Sequence, residues 1–401
     1  MQVTLIGLGG ASGTATGEAR EALEQAEVVI GAGRLLESLP KSDKQKTFTE
    51  YRTNEIMDIL AREQARSACV VFSGDTGFHS GARALIALLR ERGTDCLVLP
   101  GLSSVQLLAA RLGRPWQDWT LCSAHGAACD PIPAIMRGKP AFFLTGGTRT
   151  PATLCRDLTE AGLGGVRVTV GENLAAEDER VTQTTAADAA EKSCAPLSVL
   201  LTEAVERPAY PVGGIADDAF VRGNVPMTKQ EVRAAIRSKL AICRGDTVWD
   251  VGAGTGSVSV ELALTADEGR VYAVECAAEA WELIEANRRR FGAWNLRLVR
   301  GTAPEALAGL PAPDAVFIGG SRGRLRAIAE AALAANPKAR LCISAIALET
   351  LSAALATCRE LGLDAEITQL AVSRARPAGA LHLLTANNPV FLITAKRGGD
   401  A

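Results

Sequence analysis

Between Trp249 and Leu262 the chain reads WDVGAGTGSVSVEL, in which a short apolar run, Thr247 to Val251, breaks into a glycine turn and resumes with helical character. A second buried-strand pattern, RVYAVEC from Arg270 to Cys276, carries an acid, Glu275, at its end. Strand, glycine turn, helix and strand in this order restrict the segment to a βαβ unit of a parallel sheet. Gly252, Gly254 and Gly256 let the backbone turn sharply and approach a ligand closely, and the helix start offers free N–H groups. Glu275 is placed to accept hydrogen bonds from both ribose hydroxyls of an adenosine. A tight turn without a ligand is the competing account, and the paired acid favours a nucleotide-cofactor site.

Two cofactors use such a turn. Nicotinamide sites follow G-x-G-x-x-G, whose third glycine closes helix against strand, whereas this run is G-x-G-x-G followed by Ser257. Hydride transfer is therefore disfavoured. The stretch resembles motif I of the class I S-adenosylmethionine (SAM) methyltransferases, matched at Asp250, Gly252, Gly254 and Gly256. That resemblance implies that Asp250 orients the methionine end of SAM and that Glu275 binds the ribose.

A length of 401 residues exceeds one ordinary core and predicts at least two domains. Hydrophobic content of 47% with 22% charged residues is globular, and a net charge of −2 gives no general attraction for nucleic acid or an anionic membrane. Contacts with an anion must then be local. No apolar stretch approaches the roughly 20 residues that span a bilayer, and the N-terminus enters a strand pattern directly, so a cytoplasmic protein is expected. Ten cysteines are scattered, mostly within apolar segments and never as C-x-x-C, which reads as reduced core thiols. With only three histidines, His79, His125 and His382, no metal site is expected.

Strand and helix patterns alternate throughout, which predicts parallel α/β sheets in both halves. The segment ERPAYPVGGIADDAFVRGNVP, from Glu206 to Pro226, concentrates proline, glycine and charge. It divides the chain into a domain at 1–206, a linker and substrate-facing loop at 207–226, and a second domain at 227–401, with the boundary near Arg207. Beyond it KQEVRAAIRSKLAI is an amphipathic helix, followed by strands at Thr247, Arg270, Leu296, Ala315, Arg340 and Leu381 to Leu384. The last strand is expected to close a hairpin, HLLTANNPVFLITAKR, turning at Asn387, Asn388 and Pro389. Five strands with crossover helices and that hairpin match the class I SAM methyltransferase sheet.

The first half carries different glycine loops: IGLGG with Gly7, Gly9 and Gly10; SGDTGFHSGARAL from Ser73 to Leu85; and PGLSSVQLLAARLGRPW from Pro100 to Trp116. In this order they resemble the tetrapyrrole methylase family, which binds SAM in a cleft between two α/β subdomains and shares no fold with the class I enzymes. The resemblance covers about Gln2 to Val205 and implies cofactor contacts at Gly7, Gly9, Gly74, Asp75, Ser103 and Ser104. Thr76 stands where the family has proline, which removes the ring's rigidity from that loop. LCSAHGAACD, Leu121 to Asp130, matches the family's S-x-H-G element. His125 shapes the cleft or takes part in proton transfer, for which imidazole is suited.

Both folds in one chain, in this order, resemble the family of fused precorrin-6B (6Y) C-5,C-15 methyltransferases (decarboxylating) of cobalamin biosynthesis. GGIADDAFVRGNVPMTKQEVR, RGTAPEAL and AVFIGGSRG match that family around motif I and beyond it. The resemblance implies SAM contacts at Thr228, Gly252, Gly256, Glu275 and Ala303, and a cofactor–substrate junction at Gly319, Gly320 and Ser321. Ser321 joins His125 as a candidate catalytic residue. It implies methylation of a precorrin at C-5 by the first half, and methylation at C-15 with loss of the ring C acetate carboxyl by the second. An anionic tetrapyrrole demands cationic contacts despite the neutral balance. Arg222, Lys229, Arg322, Arg324, Arg374 and Arg376 are the candidates, with solvated surface charge as the alternative. A homo-oligomer that hands its product to neighbouring pathway enzymes is expected. Two other readings remain: a class I half with another acceptor such as RNA, although no basic stripe with interleaved aromatics supports it, and one half that only binds.

Overall fold

The computed structural model describes residues 2–10, 14–40, 42–126, 129–206, 208–210 and 214–398. The expected boundary residue Arg207, and Gly213 at the head of the linker motif, lie outside the described residues. The chain divides into two compact units, one of Met1–Pro131, Lys139–Thr159 and Gly164–Ala204, the other of Val205–Ala401 with Ile132–Gly138 and Glu160–Leu163.

The first unit contains two sheets. Strands β1 (Gln2–Gly7), β2 (Val28–Gly31), β3 (Lys46–Thr49), β4 (Ser67–Phe72) and β5 (Cys96–Leu99) pair in the order β3-β2-β4-β1-β5, all parallel. The central strands bury Val3, Leu5, Val28, Ile30, Ala68 and Val70 on one face, and the near-continuous apolar runs reflect helices on both sides. The second sheet comprises β6 (Thr120–Ser123), β7 (Ala141–Leu144), β8 (Arg167–Glu172), β9 (Arg180–Thr185) and β10 (Ser198–Thr202) in the order β6-β7-β10-β8-β9. Only the β6–β7 pair is parallel; β10 runs antiparallel to β7 and β8, and β8 antiparallel to β9. This corrects the expectation of parallel sheets throughout. Residues 173–179 alone join β8 to β9, too few for the crossover that parallel pairing demands.

The second unit is built on seven strands: β11 (Thr247–Val251), β12 (Arg270–Glu275), β13 (Leu296–Arg300), β14 (Ala315–Ile318), β15 (Arg340–Ala345), β16 (Leu363–Leu370) and β19 (Val390–Arg397), in the order β13-β12-β11-β14-β15-β19-β16. The five strands from β13 to β15 are parallel, as the crossover helices predict. The closing hairpin is not where the sequence places it. Strand β18 (Leu381–Ala386) pairs with β17 (Ser373–Ala378) in a separate ribbon that turns at Gly379, φ +61°, while β19 pairs antiparallel with β15 and β16. Burial explains the difference: β19 places Leu392, Ile393 and Ala395 in the core, whereas Leu381, Leu383 and Leu384 stay exposed. Asn387, Asn388 and Pro389 link ribbon to sheet. The strand order reverses at β11, between β12 and β14, and this switch point is where an open α/β sheet leaves a crevice. No helix is long and apolar enough to cross a membrane among the described residues.

Candidate functional site

In the second unit a cavity of about 1030 Å³ lies beyond the ends of β11, β12 and β14. The glycine turn forms its floor. Gly252, Gly254 and Gly256 have φ of +76°, +55° and +76°, a region that strains any L side chain. A Cβ on Gly252 would come within 2.7 Å of the Gly320 backbone nitrogen, so the turn and the loop after β14 touch through their main chains. Gly256 lies outside the lining and starts the helix Ser257–Thr265, where a Cβ would meet Ile284 at 3.1 Å.

Two acids face this turn. The Glu275 carboxylate accepts from Gly254 N–H through Oε2 and from Cys276 and Ala277 N–H through Oε1, each at 2.8 Å. It thereby braces the glycine turn; Oε1 is taken up by its two N–H donors, and Oε2 keeps a lone pair for a ligand. Asp250 is fully buried; Oδ2 accepts the Ser259 hydroxyl, while Oδ1 has no hydrogen-bond partner. Burial pushes its carboxyl up to about 7, the Ser259 hydrogen bond opposes the rise, and the nearby Glu275 charge adds to it.

Thr228, Ala303, Gly319, Gly320, Ser321, Lys229 and Arg322 line the same cavity. Arg322 sits at φ +46°, an uncommon conformation for a residue with a side chain. Arg222 and Arg376 are exposed and lie outside the lining. Arg374, also outside it, donates to Glu231 at 3.0 and 2.6 Å and to Asp217 at 2.9 Å, and Arg324 is paired with Glu305. Sequence reasoning missed Asn387, Asn388, Val372 and Ile346, which complete the far wall. They arrive from the ribbon connection and the end of β15, and no local motif announces them.

The first unit has its own cavity, about 610 Å³, lined by Gly9, Gly10, Gly74, Asp75, Ser103, Ser104 and His125. Gly9 and Gly74, at φ +73° and +69°, exchange backbone hydrogen bonds of 3.1 and 3.0 Å, so the first two glycine loops are zipped together. Gly7 lies beneath rather than in the lining; a Cβ there would stand 2.6 Å from Gly74 O and 2.7 Å from Gly101 N. Asp75 ties the second loop to the third, accepting from Gly77 N–H at 2.9 Å and from Gly101 N–H at 3.2 Å. Thr76 is buried and donates its hydroxyl to Leu99 O at 3.3 Å, a tether that a proline would lack. Ser103 caps the helix Ser104–Leu112 in a reciprocal capping box with Gln106, which leaves Ser104 as the serine at the cavity without that duty. The exposed His125 ring occupies the space that a side chain on Gly146 would take, 1.9 Å from its Nδ1. Arg34 and Tyr51, which carry no sequence motif, also line this cavity, as does His79, at φ +50° within the second glycine-loop segment.

Comparison with known proteins places a family on each half. Residues 2–190 match the tetrapyrrole (corrin/porphyrin) methylases and residues 218–397 the precorrin methyltransferase domain. A Sinorhizobium precorrin-6Y C(5,15)-methyltransferase [decarboxylating] is 34% identical over 389 residues, covering 94% of this chain and 92% of that protein. The cobalt-precorrin-6B C(15)-methyltransferase (decarboxylating) of Salmonella typhimurium is 42% identical over 184 residues, 45% of this chain and 95% of its own length. A solved structure of precorrin-6Y C5,15-methyltransferase from Geobacter metallireducens is 37% identical, covers 47% of this chain and all of its own, and aligns with a TM-score of 0.46.

Proposed function

The chain belongs to the family of decarboxylating precorrin-6Y C(5,15)-methyltransferases, and we propose that it carries out that family's reaction: methylation of a precorrin at C-5 and C-15 with release of an acetate carboxyl as CO2, in cobalamin biosynthesis. The observation that carries the reading is the pairing of two separate glycine-loop cavities with full-length similarity to a doubly methylating relative. The Salmonella relative, half as long, has both C-15 methylation and decarboxylation in its name, so these two steps travel together in one half-sized module. We assign them to the second unit and C-5 methylation to the first.

The methyl donor of the proposal is SAM, and the residues present fit it. In the second unit the left-handed glycine cradle admits a ligand against the main chain, Glu275 offers the remaining lone pair of Oε2 to a ribose hydroxyl, and the orphaned Asp250 Oδ1 offers an acceptor toward a cationic methionine end. When bound, SAM supplies an electrophilic methyl group to an electron-rich carbon. The chain needs no nucleophile for this; it holds the acceptor carbon in line and excludes water. Thr228 and Ala303 flank the donor end. Lys229 and Arg322, neither with an ion pair among the described residues, serve the substrate carboxylates, with Gly319, Gly320 and Ser321 at the junction. Arg374, with two carboxylates already engaged, acts by holding structure together. In the first unit Gly9, Gly74, Asp75 and Ser104 border the donor and Gly7 keeps its loops in contact. For decarboxylation the C–C bond to the acetate carboxyl breaks, its electron pair moves into the conjugated ring imine, CO2 leaves, and the former methylene carbon takes up a proton from water to become methyl.

Saturation binding of SAM to the full chain tests the cofactor assignment. Two sites per chain are expected, one removed by Gly254→Val and the other by Gly74→Val. A single site that Gly254→Val abolishes entirely would overturn an independent donor site in the first unit.

A further inference from the structure

One wall of the second unit's cavity is a stretch of irregular chain, Gly223 to Thr228, that precedes the helix Gln230–Leu240. Irregular backbone holds a position only where other groups fix it. Its flanks are fixed by Arg233, fully buried, which donates to the carbonyls of Ile215 and Thr228 and pairs with Asp217 and Glu261, both at 2.8 Å. The chain leading into it is fixed by a different side chain. Asn287, fully buried on the helix Ala278–Phe291, accepts from Val221 N–H at 2.8 Å and donates to Val221 O at 2.9 Å, and the same amide nitrogen donates to Thr255 O at 2.9 Å.

Val221 stands two residues before the wall, and Thr255 lies inside the glycine turn between Gly254 and Gly256. One amide therefore ties the chain entering the wall to the glycine turn, of which Thr255 lines the cavity. Asn295 provides the contrast. It is equally buried and donates to the carbonyls of Ala263, Ala266 and Gly269 at 2.9, 2.7 and 3.4 Å, none of which lines the cavity. Residue type and burial are alike, but Asn295 bonds only through its amide nitrogen, its Oδ1 having no partner, and its bonds lie away from the cavity.

We propose that Asn287 is a positioning residue for the methyl-donor site of the second unit, setting the wall at Gly223–Thr228 against the glycine turn. The proposal rests on the reading that this cavity binds SAM. Without the amide, the backbone N–H and carbonyl of Val221 lose their side-chain partner and Thr255 O loses one, so wall and turn separate before the rest of the fold yields. The donor then meets a looser cradle, and KM for SAM rises more than kcat falls.

The test uses the full chain with 13C-methyl SAM and a reduced precorrin. Product NMR separates the two new methyl carbons, and the methylation that Gly254→Val abolishes reports on the second unit. Asn287→Leu should raise KM for SAM in that methylation at least ten-fold and leave the other within two-fold, whereas Asn295→Leu, with a comparable fall in Tm, should move neither. Asn287→Asp keeps the acceptor for Val221 N–H and should give a smaller rise, which also serves if Asn287→Leu does not fold. An unchanged KM in a folded Asn287 variant, or an equal rise in Asn295→Leu, overturns the proposal. Gly254→Val sparing both methylations would instead overturn the reading of the cavity on which it rests.

Discussion

Asp250 makes the affinity of the second unit for SAM depend on pH in a way that can be worked out in advance. Burial raises its carboxyl from the ordinary 3.8 to about 7, so below that pH the ligand-free protein holds Asp250 protonated. A cation brought near Oδ1 favours the carboxylate and lowers that pKa. Binding below about pH 7 therefore expels a proton. Affinity should rise with pH by up to roughly tenfold per unit, the limit for one linked proton worth about 1.4 kcal/mol per unit, and level off above pH 7. The sign for stability is opposite. Because the folded state holds this proton more tightly than the unfolded chain, the ligand-free protein loses stability as pH rises from about 4 to 7, by a ceiling of roughly 4 kcal/mol for a three-unit shift. Calorimetry in buffers of different ionisation heat counts the proton, and Asp250→Asn should abolish both its release and the loss of stability. Equal proton release by wild type and Asp250→Asn, or none by wild type between pH 6 and 7, would refute the argument.

Glu275→Ala removes three backbone hydrogen bonds to a carboxylate as well as the ribose acceptor, and should weaken SAM binding at the second unit by about 1 to 3 kcal/mol; isothermal titration checks it. Gly7→Ala puts a Cβ 2.6 Å from Gly74 O and should suppress the methylation performed by the first unit while CO2 release continues. Arg322→Ala should raise KM for the tetrapyrrole severalfold at constant Tm, whereas Arg374→Ala, which breaks half-exposed ion pairs with Glu231 and Asp217, should leave that KM unchanged and cost at most about 1 kcal/mol of stability by denaturant titration.

What the sequence made legible is what short-range pattern encodes. The strand–glycine–helix run around Gly252 and the acid ending β12 lie within one βαβ unit, and the structure brings them onto one cavity. In the first unit Gly9, Gly74 and Ser104 follow three different strands, β1, β4 and β5; each loop is legible by itself, and the pairing of β1 with β4 and β5 brings them onto one cavity. Features decided by distant pairing were not legible. Strand β18 carries the apolar alternation of a sheet strand yet pairs only with β17, because the place beside β15 goes to β19, which brings Leu392 and Ile393 into the core. Strand β16 is an edge with mostly exposed side chains, so LDAEITQL lacks the apolar signal of its neighbours. Arg374 reads as a free cation until Asp217 and Glu231, more than 140 residues away, are seen to claim it. Asn387 reads as a turn residue, and only the placement of β19 shows that it borders a cavity.

The central claim is that one chain performs two methylations and one decarboxylation on a single macrocycle. Mass spectrometry of the product formed by the full chain from a reduced precorrin and isotope-labelled SAM, with released CO2 trapped and counted, tests it most directly. The account predicts two labelled methyl groups gained and one CO2 lost per macrocycle, with Gly254→Val removing one methyl and the CO2 together. A folded, SAM-saturated chain that adds a single methyl group without CO2 release would contradict it.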